Sequence, residues 1–400
     1  MTVGTSGPRS VLVVGASAAG LSTVDTLRRR GYGGAITVLG AESHLPYDRP
    51  PLSKQVLSGT WEPDRTWLRP PAALAALGAE IILGDAAINL DAASRTVETA
   101  AGRELSADAV VVATGVRPRV MPGQASLSGV HVLRTLEDSL TLRRDLVKSS
   151  RFVVVGEGVL GAEIAATARG MGLDVTMAGP QTAPLAAQVG PLIGSLLTNL
   201  HFEHGVTLRL GTGVSGFTGE HGQVAGVRLD TGEVLPADVV AVAIGAVPVT
   251  GWLLGSGLDV DNGLVCDSQC RAAEGIYAAG DVARWYHERL GTLVRLENRT
   301  NAIEQAMAVA GNIMGDDQPY TPVPYFWTDQ YEVKVQVHGF PDGNAEVAVV
   351  EGDTAERRFV AQYRRDGRIT GVLGWNMPKQ TRLRRQDVVD ALLGPVTSEP

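Results

Sequence analysis

The sequence predicts an α/β fold, with two parallel-sheet units followed by an α+β domain. Three observations predict it. The apolar, β-branched runs Val11–Val14 and Phe152–Val155 read as strands buried on both faces, and each runs straight into a glycine-punctuated turn. Each turn opens a helical stretch that leads to another apolar strand. Beyond Tyr320 the pattern changes to alternating strands, a hairpin signal and one closing helix.

In chain order, Met1–Arg9 is a short polar arm, and the strand Val11–Val14 follows. Gly15-Ala16-Ser17-Ala18-Ala19-Gly20 comes next, then a helix over Leu21–Arg30 and a strand over Ile36–Leu39. This is the geometry that binds a dinucleotide. Small residues let the backbone approach a pyrophosphate, and the helix N-terminus supplies free N–H groups and a positive dipole end. Ser17 replaces the middle glycine of the usual pattern, where smallness is the requirement. The pattern recurs with full spacing in Gly156-Glu157-Gly158-Val159-Leu160-Gly161, followed by a helix to Gly170 and a strand over Asp174–Ala178. Two such turns in one chain point to two nucleotides meeting, and hydride transfer is the chemistry that needs such a meeting.

Two further apolar strands end in small-residue turns, at Ala113-Thr114-Gly115 and at Gly245. A third, Gly275–Gly280, delivers Asp281, which would accept a hydrogen bond from a ribityl hydroxyl or else cap a helix. The length of 400 residues suits two to three domains. A net charge of −8 argues against a general nucleic-acid binder. No run of about 18 uncharged apolar residues suggests a membrane span. The two cysteines, Cys266 and Cys270, form neither a disulfide framework nor a redox dithiol spacing, so a cytoplasmic setting fits. No metal-ligand spacing occurs, and no metal is expected.

Gly15–Gly20, His44–Lys54 (HLPYDRPPLSK), Ala113–Gly115, Leu133–Thr135, Gly156–Glu163, Tyr277–Ala283 and Pro324–Tyr331 (PYFWTDQY) occur in the order seen in one group. The chain resembles the FAD-dependent, NADH-using ferredoxin reductases of bacterial P450 and aromatic-ring dioxygenase systems, the putidaredoxin reductase type. The resemblance spans about Val11 to Gly374, and the two longer motifs are far more specific than any glycine pattern. It implies two Rossmann-like domains of the glutathione-reductase type plus the C-terminal α+β domain. Residues 1–118 and 246–320 would form the FAD domain, 119–245 an inserted NAD(P) domain, and 321–400 the C-terminal domain.

Roles follow from the resemblance. Lys54 would stand near the flavin and pair with Glu163 from the NAD unit, steadying the electron-rich ring. Arg49 and Arg134 would meet the FAD phosphates, Ala87 the adenine, Glu42 the FAD ribose, and Gly280 with Asp281 the ribityl chain. Glu297, Asn298 and Arg299 would precede a helix over Ala302–Met314 whose N-terminus faces the flavin pyrimidine. Phe326 and Trp327 would wall the isoalloxazine. Gly156, Gly158, Val159, Leu160, Gly161 and Gly245 would line the coenzyme site for NADH or NADPH.

The sequence also departs from the family pattern. Gly179 stands where the second strand normally ends in an acid that reads the adenine ribose, and no acid or arginine follows in Pro180–Pro184. Coenzyme preference is therefore open, with weak NADH binding and lost discrimination against NADPH expected. In the C-terminal domain Val333, Val335 and Val337 alternate with polar residues, Asp366-Gly367 marks a hairpin, and Gln380–Leu393 is a helix. Positive charge gathers there, at Arg357, Arg358, Arg364, Arg365, Arg368, Lys379, Arg382, Arg384 and Arg385. It reads as a docking face for an acidic ferredoxin or as a solvated face with no partner. The expected activity is NAD(P)H-dependent reduction of an iron–sulfur ferredoxin by a monomer or weak homodimer that binds neither nucleic acid nor membrane. Reduction of a small acceptor, or an FAD-bearing interaction protein with vestigial turnover, are the alternatives.

Overall fold

The computed structural model describes residues 7–341 and 344–393; part of the N-terminal arm and the end of the C-terminal domain lie outside them. The chain forms two compact units. One comprises the stretch up to Asp48 with Thr66–Arg117 and Val247–Pro322; the other comprises Arg49–Arg65, Pro118–Ala246 and the chain from Val323. The α/β arrangement is the one expected from sequence.

In the first unit, strand Ser10–Val14 pairs in parallel with Ala35–Gly40 on one side and Ala109–Val112 on the other. Glu80–Leu83 and Ile276–Ala278 extend this parallel sheet, and Arg271–Ala273 closes an edge in antiparallel fashion. Val11 to Val14 are at most 2 % exposed, as a strand covered on both faces requires. Helix Ala18–Arg29 packs on helix Arg299–Ile313, whose Ala302, Ala306 and Ala310 are small enough for close approach. The latter helix begins at Arg299, not Ala302. Asn298 is extended and its carbonyl accepts the Ala302 N–H at 3.0 Å, so Arg299, Thr300 and Asn301 fill a first turn that needs little helix propensity.

In the second unit, Arg151–Val155 is flanked in parallel by Asp174–Gly179 and Val239–Val242. Thr207–Leu210 and Val130–His131 complete this sheet. The same unit holds a five-stranded antiparallel sheet, in the order Tyr325–Gln330, Val333–Gly339, Arg368–Trp375, Arg358–Arg365, Glu346–Asp353. Asp366 and Gly367 turn its hairpin with φ of 49° and 74°, the left-handed pair that a two-residue loop demands. Helix Pro378–Leu393 closes over the sheet, with Val388 and Thr381 buried against it.

The segment 49–65 sits in the second unit, although it lies between two stretches of the first in sequence. Ser139 Oγ donates to the Leu52 carbonyl at 2.7 Å and Thr167 Oγ1 to the Ser53 carbonyl at 2.8 Å. These bonds tie the segment to two helices of that unit.

Candidate functional site

The first unit gathers most of the residues expected to hold a dinucleotide. Gly15 has φ of 123°, and a Cβ there would overlap the Ala113 carbonyl. A Cβ on Gly20 would overlap the Gly15 carbonyl, so both positions need glycine for close approach. Between them Ser17 is the extended N-cap of helix Ala18–Arg29. Ser17 makes no side-chain cap bond and the first turn of the helix has no acid, a helix N-terminus of the kind that suits an anion. Gly280, at φ of 80°, stands beside the turn: its Cβ would lie 3.1 Å from that of Ala19 and 3.5 Å from that of Ala302. Ala113, Thr114 and Gly115 form the adjoining loop, with the Thr114 hydroxyl donating to the Val249 carbonyl at 2.8 Å.

Glu42 lies two residues beyond the strand end at Gly40 and accepts the Tyr47 hydroxyl. Ala87 opens the strand Ala87–Asp91. The Asp281 carbonyl accepts from Arg295 at 3.0 Å. Glu297 is exposed and pairs with Arg295 at 2.8 Å, so its carboxylate is engaged within the chain. Arg299 Nε donates to Asp48. The buried Asn298 Oδ1 and Arg299 Nη1 have no hydrogen-bond partner among the described residues. Orphaned polar atoms at an uncapped helix N-terminus fit a polar ligand such as FAD.

The second unit repeats the turn. Gly156 has φ of 112° and a Cβ there would overlap the Ala243 carbonyl; one on Gly161 would overlap the Gly156 carbonyl. Gly158 is the N-cap of helix Val159–Gly170, and nothing lies within 4 Å of its Cβ position. Val159 and Leu160 form the uncapped first turn, while Gly245, at φ of 94°, accepts the Arg119 N–H through its carbonyl at 2.9 Å. Gly179 meets a neighbour not anticipated from sequence: a Cβ there would overlap the Glu157 carboxylate.

Lys54 and Glu163 form a buried ion pair, Nζ to Oε2 at 2.6 Å, with side chains only 13 % and 8 % exposed. Ser53 Oγ also donates to Oε2 at 2.7 Å, and Thr328 Oγ1 donates to Oε1 at 3.0 Å. Beyond Thr328 the chain of bonds continues through Gln330 to His201 and Tyr331. Burial pushes the His201 imidazole down to about 4, so it is neutral at pH 7. Fully partnered, the Glu163 carboxylate is fixed in place, and with it the Lys54 ammonium. Ser53 and Thr328 were missed as its partners, although both lie inside the two most specific motifs.

Arg49 and Arg134 come together: Arg49 Nη1 donates to the Arg134 carbonyl at 2.5 Å, and the Arg134 N–H is held by Asp138 at 2.9 Å. Phe326 and Trp327 are neighbours on strand Tyr325–Gln330. Successive strand residues face opposite sides, so Phe326 shares the face of Thr328, while Trp327 stacks on Tyr325 at 5.9 Å.

The basic C-terminal surface is partly neutralised, since Arg357 pairs with Glu203, and Arg384 with Glu351 and Asp387. Cys266 and Cys270 are buried; burial raises the Cys266 thiol and pushes the Cys270 thiol up to about 12, out of thiolate range. Among the described residues no group of His, Cys, Asp or Glu could hold a metal, and no helix is long and apolar enough to cross a membrane.

Residues 9–306 match the pyridine nucleotide-disulphide oxidoreductase family and residues 325–390 the reductase C-terminal family. Rhodocoxin reductase of Rhodococcus erythropolis is 35 % identical over 392 residues, 98 % of this chain and 91 % of that protein. The ferredoxin–NAD(+) reductase subunit of the benzene 1,2-dioxygenase system of Pseudomonas putida is 37 % identical over 93 % of this chain and 90 % of its own length. The crystal structure of the covalent putidaredoxin reductase–putidaredoxin complex matches with a TM-score of 0.91 at 33 % identity. That match covers 96 % of this chain and 93 % of the other.

Proposed function

The chain belongs to the pyridine nucleotide-disulphide oxidoreductase family, and from that membership we propose that it is an NAD(P)H-dependent ferredoxin reductase. The observation that carries the reading is two dinucleotide-type glycine turns in a chain whose only thiols are buried and protonated. Bound FAD would accept a hydride from the nicotinamide and release electrons singly to an iron–sulfur acceptor. Without a thiol relay, those electrons leave for a partner outside the chain.

The protein's own part is binding and electrostatics. The Gly15–Gly20 turn and the N-terminus of helix Ala18–Arg29 would hold the FAD pyrophosphate, and in the second unit Arg49 and Arg134 carry guanidinium groups suited to phosphate oxygens. Glu42 takes the ribose, Ala87 the adenine, and Gly280 with Asp281 the ribityl chain. Asn298 and Arg299 supply the polar atoms that lack protein partners. The Gly156–Gly161 turn and Gly245 hold the coenzyme. Lys54, held in place by Glu163, would supply the positive charge that a reduced flavin requires. An acidic ferredoxin would dock on the exposed Arg364, Arg365, Arg368, Lys379, Arg382 and Arg385.

Anaerobic mixing with NADH tests the reading: the flavin bleaches rapidly, and cytochrome c reduction then requires added ferredoxin and weakens with salt. Reduction of cytochrome c without ferredoxin favours a small-acceptor reductase, and absence of bleaching favours an interaction protein. Glu163→Ala leaves the Lys54 ammonium unpaired and slows hydride transfer about tenfold or more while retaining FAD. An unchanged rate constant at saturating NADH removes the pair from the function.

A further inference from the structure

We propose that Glu157, supplied by the glycine turn itself, selects NADH over NADPH; the inference rests on the reductase reading above. The two turns can be matched residue by residue through their hydrogen bonds. Gly15 N–H donates to the Leu39 carbonyl at 2.7 Å, and Gly156 N–H to the Ala178 carbonyl at 2.8 Å. Gly40 and Gly179 are therefore equivalent: each is the last residue of its strand, paired to Leu83 and Leu210 respectively.

In the first unit the residue after the leading glycine is Ala16. Its methyl lies over Gly40, 2.7 Å from where a Gly40 Cβ would be. In the second unit that residue is Glu157, and its longer side chain runs over Gly179 in the same way. The carboxylate thus ends at the strand terminus, the place from which an acid reads the adenine ribose in a dinucleotide-binding unit. The position that carries Glu42 in the first unit supplies no acid here. Gln181 is the counterpart of Glu42, two residues past the glycine, and its side-chain oxygen is taken by the Ala187 N–H at 2.7 Å.

Glu157 is only 2 % exposed. Oε1 accepts the Gln181 N–H at 2.9 Å, but Oε2 has no hydrogen-bond partner among the described residues. A buried carboxylate oxygen left without a donor is costly, and a ribose hydroxyl is the donor that NADH would bring. A 2′-phosphate brings negative charge against the same carboxylate, and NADPH is rejected. Gly179 is the necessary complement, because any Cβ there would displace Oε2. The glycine that seemed to abolish selectivity makes room for the acid that confers it.

Calorimetric titration with NAD+ and NADP+ reads binding without turnover, and stopped-flow bleaching with NADH and NADPH reads KM against limiting rate. Wild type should favour NAD(H) at least about tenfold, and Glu157→Gln should narrow that ratio about tenfold, through Kd and KM and with FAD content unchanged. If Glu157→Gln does not fold, Gly179→Ala displaces the carboxylate and carries the same expectation. Wild type that binds NADP+ as tightly as NAD+, or variants whose ratio moves less than about twofold, overturn the proposal. If neither coenzyme bleaches the flavin, the reductase reading fails, while the titration still decides the role of Glu157.

Discussion

In the first unit an acid stands two residues past the strand end, as Glu42 under the Tyr47 hydroxyl; in the second that position is Gln181, and the acid arrives from the turn as Glu157. The backbone beneath is the same. Gly15 abuts Ala113 as Gly156 abuts Ala243, and Gly20 meets Gly15 as Gly161 meets Gly156. Gly115 and Gly245 both sit at positive φ, 67° and 94°. Contacts between backbone atoms leave no freedom, so both units keep the same glycines. The direction of one side chain over a strand-end glycine is free to carry different chemistry, a methyl in one unit and a carboxylate in the other.

The largest effects should come from the shared glycines. Gly15→Ala and Gly156→Ala each force a side chain into positive φ and against an immovable carbonyl, at a cost of about 3 kcal/mol or more. Gly15→Ala should yield a colourless protein, whereas Gly156→Ala should stay yellow and lose NADH binding. Visible absorbance and calorimetry read the two outcomes, and loss of FAD from both variants would break the assignment of one nucleotide to each turn.

The second unit also buries a neutral imidazole at the end of the Glu163 hydrogen-bond chain. Its ordinary value of 6.5 is lowered to about 4 in the fold, so between those values the unfolded chain takes up a proton that the folded chain does not. Stability should therefore fall as pH drops through that window, by up to about 3 kcal/mol, and no further below it on account of His201. His201→Gln should flatten the decline of Tm between pH 7 and pH 5. An unchanged slope would show that the imidazole accepts its proton without unfolding.

Smaller effects separate the strand ends. Gly40→Ala sets a methyl against that of Ala16, which the backbone holds, and against Leu83, costing about 1–3 kcal/mol. Gly179→Ala meets only the flexible end of Glu157 and should cost less than about 1 kcal/mol. Urea denaturation measures both, and equal costs would mean that Glu157 is held as rigidly as a methyl on the main chain. Gly158→Ala should be smallest, within about 0.5 kcal/mol, because its Cβ would enter open space at φ of −72°.

By itself the sequence determined the apolar strands beside both turns, the turns themselves and the Asp366-Gly367 hairpin, since β-branched runs and left-handed glycines act through neighbouring backbone atoms. It also carried the motifs containing Lys54, Ser53 and Thr328, though not their convergence on Glu163. Tertiary structure decided that 49–65 joins the second unit, that the late helix starts at Arg299, and that Phe326 and Trp327 face apart. It also decided where the acid of the second unit resides. Gly179 reads as a missing carboxylate while only its strand is considered. The vacancy closes because a side chain 22 residues earlier, at Glu157, crosses the sheet edge into the space that glycine leaves, a contact that exists only once the strands are paired.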